Sequence, residues 1–371
     1  MVYEPQEDSF LLKEFVKRYA KGVALDMGTG SGLQAREAAH NKRTTKVFAV
    51  DIDRRAVAFA KKAANHRHHK KVNWIVGDLF SPFKNKLHYF DTIIFNPPYL
   101  PQDHKVRDIA LEGGRRGHET IERFLNEVNN YLKPDGIILL VFSSLTPEVQ
   151  NLLQRNMLIG KEVGKTHMFF EDIFVYLIKR SSILNQLEKK GICDIKFFAP
   201  GHRGLVFIGK YKNKKVAIKI KHPESTAGET IVREANMLKE VNKHGIGAKY
   251  LFHSPQFLVY EFVEGKYLRE LFKSKNIRSI CKKILEQCFM LDLLHINKQE
   301  MTRPYKHAII KGKKVTLIDF ERARKVEEAH NVTQFCEFIG NNVGRKKKWI
   351  ALAKEYKANP SKVFKNMLGA L

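Results

Sequence analysis

An Asn-Pro-Pro-Tyr tetrad, Asn96-Pro97-Pro98-Tyr99, closes the apolar run Phe90-Asp91-Thr92-Ile93-Ile94-Phe95. A glycine loop, Asp26-Met27-Gly28-Thr29-Gly30-Ser31-Gly32, closes the earlier run Val23-Ala24-Leu25. Together these residue types suit transfer of a methyl group onto a planar amide or exocyclic amine. A carboxamide nitrogen is a poor nucleophile because its lone pair is delocalised, so a site acting on it must hold both N–H groups and aim the nitrogen. The Asn96 side-chain oxygen and the Pro97 carbonyl are the candidate acceptors, with Tyr99 as a surface on which the flat group stacks. A Pro-Pro pair makes a stiff loop whose polar groups only accept. Such a site works mainly by positioning, turning a bimolecular displacement into a unimolecular one.

The glycine loop suits S-adenosylmethionine better than a dinucleotide. Its glycines, Gly28, Gly30 and Gly32, alternate, whereas the pyrophosphate fingerprint is spaced G-x-G-x-x-G. Asp26 and Thr29 belong to the same loop. Asp51 ends the next apolar run, Val47-Phe48-Ala49-Val50, where an acid binding ribose hydroxyls belongs, and Asp53 is a second choice for that role. After the third run, Val72 to Val76, comes Gly77-Asp78-Leu79-Phe80, which places Asp78 and Leu79 at the adenine, and Asn96 borders the donor as well as the acceptor. All these loops follow strands, and open α/β sheets bind ligands beyond the carboxyl ends of their strands.

Residues 3 to 180 resemble the class I methyltransferases that modify the glutamine of the Gly-Gly-Gln motif in translation termination factors, in their archaeal and eukaryotic branch. The resemblance is carried by Tyr3-Glu4-Pro5-Gln6-Glu7-Asp8-Ser9, the glycine loop, the Asn-Pro-Pro-Tyr tetrad, Ala110 to Gly117, and Phe169-Phe170-Glu171-Asp172. It implies that Tyr3, Glu7, Asp8 and Ser9 lie over the donor. It further implies a release factor as substrate and a small zinc-binding activator subunit as partner. The tetrad also occurs in adenine-N6 methyltransferases, so an adenine or guanine amine of transfer RNA, ribosomal RNA or DNA is the alternative acceptor.

At 371 residues the chain exceeds what one core usually serves, and 43% hydrophobic residues suit a globular pair. Its longest apolar stretch, Ile137 to Phe142, is of strand length, so no membrane segment is expected. Glu4, Glu7 and Asp8 stand where a signal peptide would be positive, and Cys193, Cys281, Cys288 and Cys336 show no C-x-x-C spacing. A cytoplasmic protein with buried, reduced thiols is the expectation. Charge is uneven: residues 181–371 carry 38 Lys and Arg against 18 Asp and Glu, or +20 of the total +27. Such a field favours a ribosome or RNA partner. Within it, Arg345-Lys346-Lys347-Lys348-Trp349 is expected to present an exposed tryptophan to a base, while Lys61 to Lys71 is read as a solvated helix end.

After a seam near Arg180-Ser181-Ser182, a second nucleotide-binding pattern begins. Val216-Ala217-Ile218-Lys219 ends a strand, and Glu234 follows on a helix spanning Glu229 to Asn242. A lysine held by a helix carboxylate to bind phosphates is the kinase arrangement. Phe257 to Gly265 suits a strand and hinge seating adenine, and Val315-Thr316-Leu317-Ile318-Asp319-Phe320-Glu321 places a metal-binding acid, Asp319, after a strand. About 185 to 330 resembles the small atypical protein-kinase-like folds, related to RIO and lipopolysaccharide-core kinases. That resemblance implies ATP and Mg2+ as ligands, with Lys219 and Glu234 on the nucleotide. The catalytic loop departs from the pattern: Lys298-Gln299-Glu300 puts Glu300 where the catalytic Asp belongs, the metal-binding Asn is missing unless His307 replaces it, and Glu321 stands where Gly follows Asp-Phe. The expected architecture is α/β: a Rossmann-like class I methyltransferase with a seven-stranded sheet over 1–180. A small α+β protein-kinase-like domain with a basic helical tail follows over 181–371.

Overall fold

The structure is a computed structural model that describes residues 4–64, 70–101, 113–168, 170–201, 204–221 and 230–371. The chain divides into two compact units, Met1–Lys190 and Gly191–Leu371. Among the described residues no helix is long and apolar enough to cross a membrane.

Seven strands form the sheet of the first unit: β1 Gly22–Met27, β2 Thr44–Asp51, β3 Val72–Val76, β4 Phe90–Phe95, β5 Leu132–Ser143, β6 Leu158–Met168 and β7 Glu171–Arg180. Their order is β3-β2-β1-β4-β5-β7-β6, with β1 to β5 pairing in parallel and β7 antiparallel to both neighbours. Parallel strands are covered on both faces and so read as continuous apolar runs. Successive residues serve opposite faces: Ile93 packs with Phe48, Phe83 and Phe124, whereas its neighbour Ile94 packs with Leu12, Ala35 and Val47. Among the described residues the helices of this unit are α1 Glu7–Tyr19, α2 Leu33–His40, α3 Arg54–Ala63, α4 Glu119–Val128, α5 Val149–Arg155 and α6 Ser182–Lys189. The strand order reverses between β1 and β4, which places the glycine loop and the Asn96 tetrad side by side at the switch point where such sheets bind ligands.

The second unit opens with a five-stranded antiparallel sheet of β8 Ile192–Pro200, β9 Gly204–Tyr211, β10 Lys214–Lys221, β11 Tyr250–His253 and β12 Phe257–Glu261, in the order β11-β12-β10-β9-β8. A two-residue turn, Lys212-Asn213, joins β9 to β10 with φ values of +48° and +62°, as primed hairpin turns require. Helix α7, Thr230–Asn242, follows. Beyond it, β13 Lys266–Tyr267, β15 Ala308–Lys311 and β16 Lys314–Leu317 form a three-stranded sheet. Strands β14 Ile296–Asn297 and β17 Arg324–Lys325 form a ladder of two. Among the described residues, helices α8 Ile277–Leu293, α9 Asn331–Asn342, α10 Lys346–Ala358 and α11 Pro360–Ala370 complete the unit.

Two sequence expectations fail here. Trp349 is only 2% exposed and packs in the core of this unit with Leu352 and Tyr356, so no tryptophan stands free among the cations of α10. The helical period decides this, because positions 349, 352 and 356 share one face. Cys281, Cys288 and Cys336 are buried thiols as expected, but Cys193 is exposed. The middle of the Lys61 to Lys71 run, residues 65–69, like Tyr3, Ala110 to Glu112 and Phe169, lies outside the described residues.

Candidate active site

The loop after β1 is built for backbone access. Gly28, Gly30 and Gly32 have φ of +63°, +51° and +78°, a region glycine enters without strain. A Cβ on Gly32 would stand 2.8 Å from the Ala60 Cβ and 3.1 Å from Trp74, so only glycine lets α2 begin there. Asp26, buried beneath the loop, accepts at Oδ2 from Thr29 Oγ1 at 2.6 Å and from the Ala35 N–H at 3.0 Å. Burial lifts its carboxyl from 3.8 to about 7, against the pull of those two bonds.

Asp26 therefore makes the fold pH-dependent. A carboxyl whose folded pKa is raised binds its proton more readily folded than unfolded, so its contribution falls as pH rises from about 4 to about 7 and is constant above. Asp26→Asn keeps an oxygen for both donors and removes the charge. It is expected to flatten that slope and to stabilise the protein at pH 8 by on the order of 2 to 4 kcal/mol. Chemical denaturation across this pH range checks it; an unchanged slope would show that Asp26 does not set it.

Asp51 ends β2 beside this loop, accepting from the Gly30 N–H at 2.8 Å and the Asp53 N–H at 2.9 Å. Asp53 instead caps α3, accepting from the Arg55 N–H at 2.8 Å, which is a structural task. The Gly77 N–H bonds the Asp51 carbonyl at 2.9 Å, bringing the Asp78 loop to the same edge. Asp78 itself is held by Arg123 at 2.5 Å, and Leu79 is buried with φ +45°. These residues fit a nucleoside-bearing sulfonium. Carboxylates stand at the strand ends, and open space lies over Gly30, where an added Cβ would meet nothing nearer than the Gly28 carbonyl at 4.0 Å.

Across the switch point, Asn96 Nδ2 donates to Asp8 Oδ2 at 2.9 Å and to Ser9 Oγ at 3.3 Å. The Tyr99 hydroxyl donates to the same Asp8 oxygen at 3.3 Å. Asn96 Oδ1 is buried and has no hydrogen-bond partner among the described residues. Asp8 and Ser9, expected over the donor, are buried in the first turn of α1 and face Asn96, while Glu7 is exposed. Pro97 is buried. Thr146 Oγ1 holds the Tyr99 carbonyl at 3.1 Å. The Gly113 to Gly117 segment packs backbone against backbone on the tetrad: a Cβ on Gly113 would lie 2.5 Å from the Pro98 carbonyl oxygen, and one on Gly117 would lie 2.6 Å from that of Tyr99. Glu171, at the start of β7, accepts from Ser143 Oγ.

A second polar centre lies in the other unit. Lys219 Nζ, on β10, meets Glu234 Oε2 of α7 at 2.7 Å, Glu321 Oε2 at 2.9 Å and Asp319 Oδ1 at 3.5 Å. Burial alone would depress the lysine pKa, but Glu234 and Asp319 hold it well above its ordinary value. Glu300 Oε2 meets His307 Nε2 at 3.2 Å and its Oε1 meets Arg322 at 2.9 Å, while His307 Nδ1 stands 3.9 Å from Asp319 Oδ2. The structure thus brings Lys219, Glu234, Glu300 and Asp319 together. It adds Lys298, which nothing local in the sequence singles out: fully buried, its Nζ donates to the Asp319 carbonyl at 2.9 Å and stands 5.1 Å over the Phe320 ring. Burial lowers its pKa to about 8. Gln299, Glu300 and Asp319 have φ of +64°, +62° and +61°, and such non-glycine strain gathers at functional sites.

Comparison with known proteins places the first unit. Residues 7–170 match the family model described as the methyltransferase small domain. A Methanocaldococcus jannaschii protein named as a protein N5-glutamine methyltransferase is 38% identical over 156 residues, which is 41% of this chain and 77% of that protein. A human protein named methyltransferase HEMK2 is 32% identical over 155 residues, 38% of this chain and 71% of its own length. The Thermodesulfovibrio yellowstonii release factor glutamine methyltransferase is 31% identical over 165 residues, but the chain spans only 58% of it. Among solved structures, the E. cuniculi Mtq2-Trm112 complex, described as responsible for methylation of the eRF1 translation termination factor, is 26% identical at a TM-score of 0.39, covering 48% of this chain and 98% of that one.

Proposed function

The chain belongs to the methyltransferase small domain family, and we propose that its first unit methylates the side-chain amide of a glutamine in a translation release factor, with S-adenosylmethionine as donor. The orientation of the Asn96 amide carries this reading. Asp8 can only accept when ionised, so it fixes which end of the Asn96 amide faces it: the NH2 turns to Asp8 and Oδ1 turns away. That oxygen is buried without a partner, a state that costs about 1–3 kcal/mol until an N–H fills it. A primary amide fills it and leaves its second N–H for the Pro97 carbonyl, with Tyr99 packed on the flat group. S-adenosylmethionine, when bound, supplies an electrophilic methyl. Asp51 and the Gly28 to Gly32 backbone are the groups that would hold its nucleoside end, and Asp78 the group for its adenine.

An adenine or guanine amine would offer the same N–H pair, but the names of the M. jannaschii and T. yellowstonii relatives favour a protein amide. Incubation with a purified release factor should methylate the glutamine of its Gly-Gly-Gln loop, and changing that glutamine to asparagine should remove the product. Methylation persisting elsewhere on the factor would refute the assignment. We extend the proposal to a small activator subunit on the sequence resemblance. Phe59 of α3 and Val76 of the edge strand β3 are apolar and exposed, as a partner's contact face would be. The same assay with and without such a subunit decides that point.

For the second unit we propose a kinase-like nucleotide site for ATP and Mg2+, with Lys219, held by Glu234, on the phosphates and Asp319 on the metal. The supporting observation is the Lys219–Glu234 contact of 2.7 Å between sheet and helix, with Asp319 at the same centre. In this reading Glu300 takes the acceptor hydroxyl's proton. RNA contact through the same unit has a second support: a cavity of about 790 Å3 whose lining includes Lys239, Lys243, Lys249, Lys311 and Lys314 beside Tyr250. Reversing charge at Lys239 and Lys314 should weaken RNA binding and reduce the slope of log affinity against log salt by roughly 2. An unchanged slope would remove the cleft as the RNA surface.

A further inference from the structure

Gln34 stands in the first turn of α2, just beyond the glycine loop, and its side chain reaches across to α1. Its Nε2 donates to the Ser9 carbonyl at 2.7 Å, and the residue is 6% exposed. A carbonyl only accepts, so this contact fixes which end of the Gln34 amide meets α1. We infer that Gln34 is a positioning residue for methyl transfer. It sets the first turn of α1 so that Asp8 presents its carboxylate to Asn96, and it thereby ties the acceptor amide to the placement of the donor loop. The inference rests on the amide-methylation reading of this unit.

Each step of the route is a hydrogen bond. Ser9, whose carbonyl Gln34 holds, gives its own N–H to Asp8 Oδ1 at 2.5 Å. The other Asp8 oxygen accepts from Asn96 Nδ2 at 2.9 Å and from the Tyr99 hydroxyl at 3.3 Å, and Ser9 Oγ accepts from the same Asn96 NH2 at 3.3 Å. A shift of the Ser9 backbone therefore shifts both acceptors that turn the Asn96 amide, and with them the direction of Oδ1. On the donor side, the residue after Gln34 gives its N–H to Asp26 at 3.0 Å, and Arg36 donates to the Ser31 carbonyl at 2.7 Å. Asp26 and Ser31 both belong to the glycine loop.

Apolar packing does not supply this direction. Helices α1 and α2 share a core in which Leu12 and Val16 lie with Ala35 and Ala38. Burial of apolar surface is non-directional, so it tolerates a small slide or rotation of one helix on the other. A hydrogen bond has a preferred distance and angle and does not. Direction matters here because a misplacement of about 1 Å at a reacting group can cost on the order of 10^2-fold in rate.

Two variants of the full chain share one defect. Gln34→Met keeps an unbranched chain of similar length without an N–H, and Gln34→Glu keeps the shape but, when ionised, only accepts. Circular dichroism reports folding, calorimetry reports S-adenosylmethionine affinity, and single-turnover methylation of a release factor at saturating donor reports the transfer step. Both variants should fold and transfer methyl at least about tenfold more slowly than wild type, with donor Kd within about twofold. A merely structural role would lower stability and donor affinity together and would not produce that split. Wild-type rates in folded Gln34→Met would overturn the inference, as would a loss confined to donor affinity, and either result leaves the amide reading standing. No methylation of the factor by wild type would overturn that reading and the inference with it.

Discussion

Asn96→Ala is expected to slow methyl transfer by about 10^2 to 10^3-fold, the usual cost of removing one preorganised hydrogen-bonding group from a polar active site, while S-adenosylmethionine binds unchanged. The asymmetry follows from the geometry. The groups assigned to the donor, Asp51 and the Gly28 to Gly32 backbone, make none of their hydrogen bonds through Asn96. The Asn96 side chain is instead shared between Asp8, which accepts from its NH2 at 2.9 Å, and the space into which Oδ1 faces. Removing the amide therefore removes an acceptor for substrate and loosens the Asp8–Tyr99 pairing, a loss that falls on kcat more than on donor affinity. Single-turnover kinetics with donor titration separates the two. Full turnover in Asn96→Ala would end the acceptor model.

Replacing Lys219 is expected to have the other large effect: nucleotide binding lost, with methyl transfer by the first unit untouched. The single variant is a poor probe, because it leaves Glu234 and Glu321 buried without their cation, and breaking a buried pair costs about 3–5 kcal/mol. Lys219→Met combined with Glu234→Gln and Glu321→Gln removes the cation together with both buried acids and keeps the volumes close. That triple variant should fold, as circular dichroism will report, and should fail to bind ATP with Mg2+. Retained affinity in the folded triple variant would sink the kinase-like reading.

The two halves of the chain differ in what their sequence disclosed. Parallel strands are apolar along their length, so the loops at Gly28, Asp51, Asp78 and Asn96 stand out as polar endings to apolar runs, and the switch point gathers them. The contact that orients Asn96 is hidden for a simple reason: Asp8 lies 88 residues away, and nothing local to either residue announces the other. The resemblance implies that Asp8 lies over the donor, and it gives no sign that the same carboxylate accepts from Asn96 and Tyr99. Gly113 and Gly117 were legible as a motif but not as a mechanism, because their need for glycine comes from the carbonyls of Pro98 and Tyr99 pressing against them.

In the second unit, Lys219, Glu234 and Asp319 were found by spacing and do converge, but Lys298 looked like one more cation in a basic half until its burial was seen. Trp349 shows the opposite: its flanking lysines suggest a surface, but its spacing from Leu352 and Tyr356 marks a buried helix face, and helical period outweighs local charge there.

The central claim is that the group aimed at Asn96 is a protein amide. Labelled S-adenosylmethionine, offered at once to a purified release factor, transfer RNA and duplex DNA, measures it directly, with Asn96→Ala as the control. The expected result is label on the Gly-Gly-Gln glutamine of the factor, none above control on either nucleic acid, and none anywhere with the variant. Label confined to the nucleic acids and lost in Asn96→Ala would contradict the claim, leaving the same tetrad at work on a base amine.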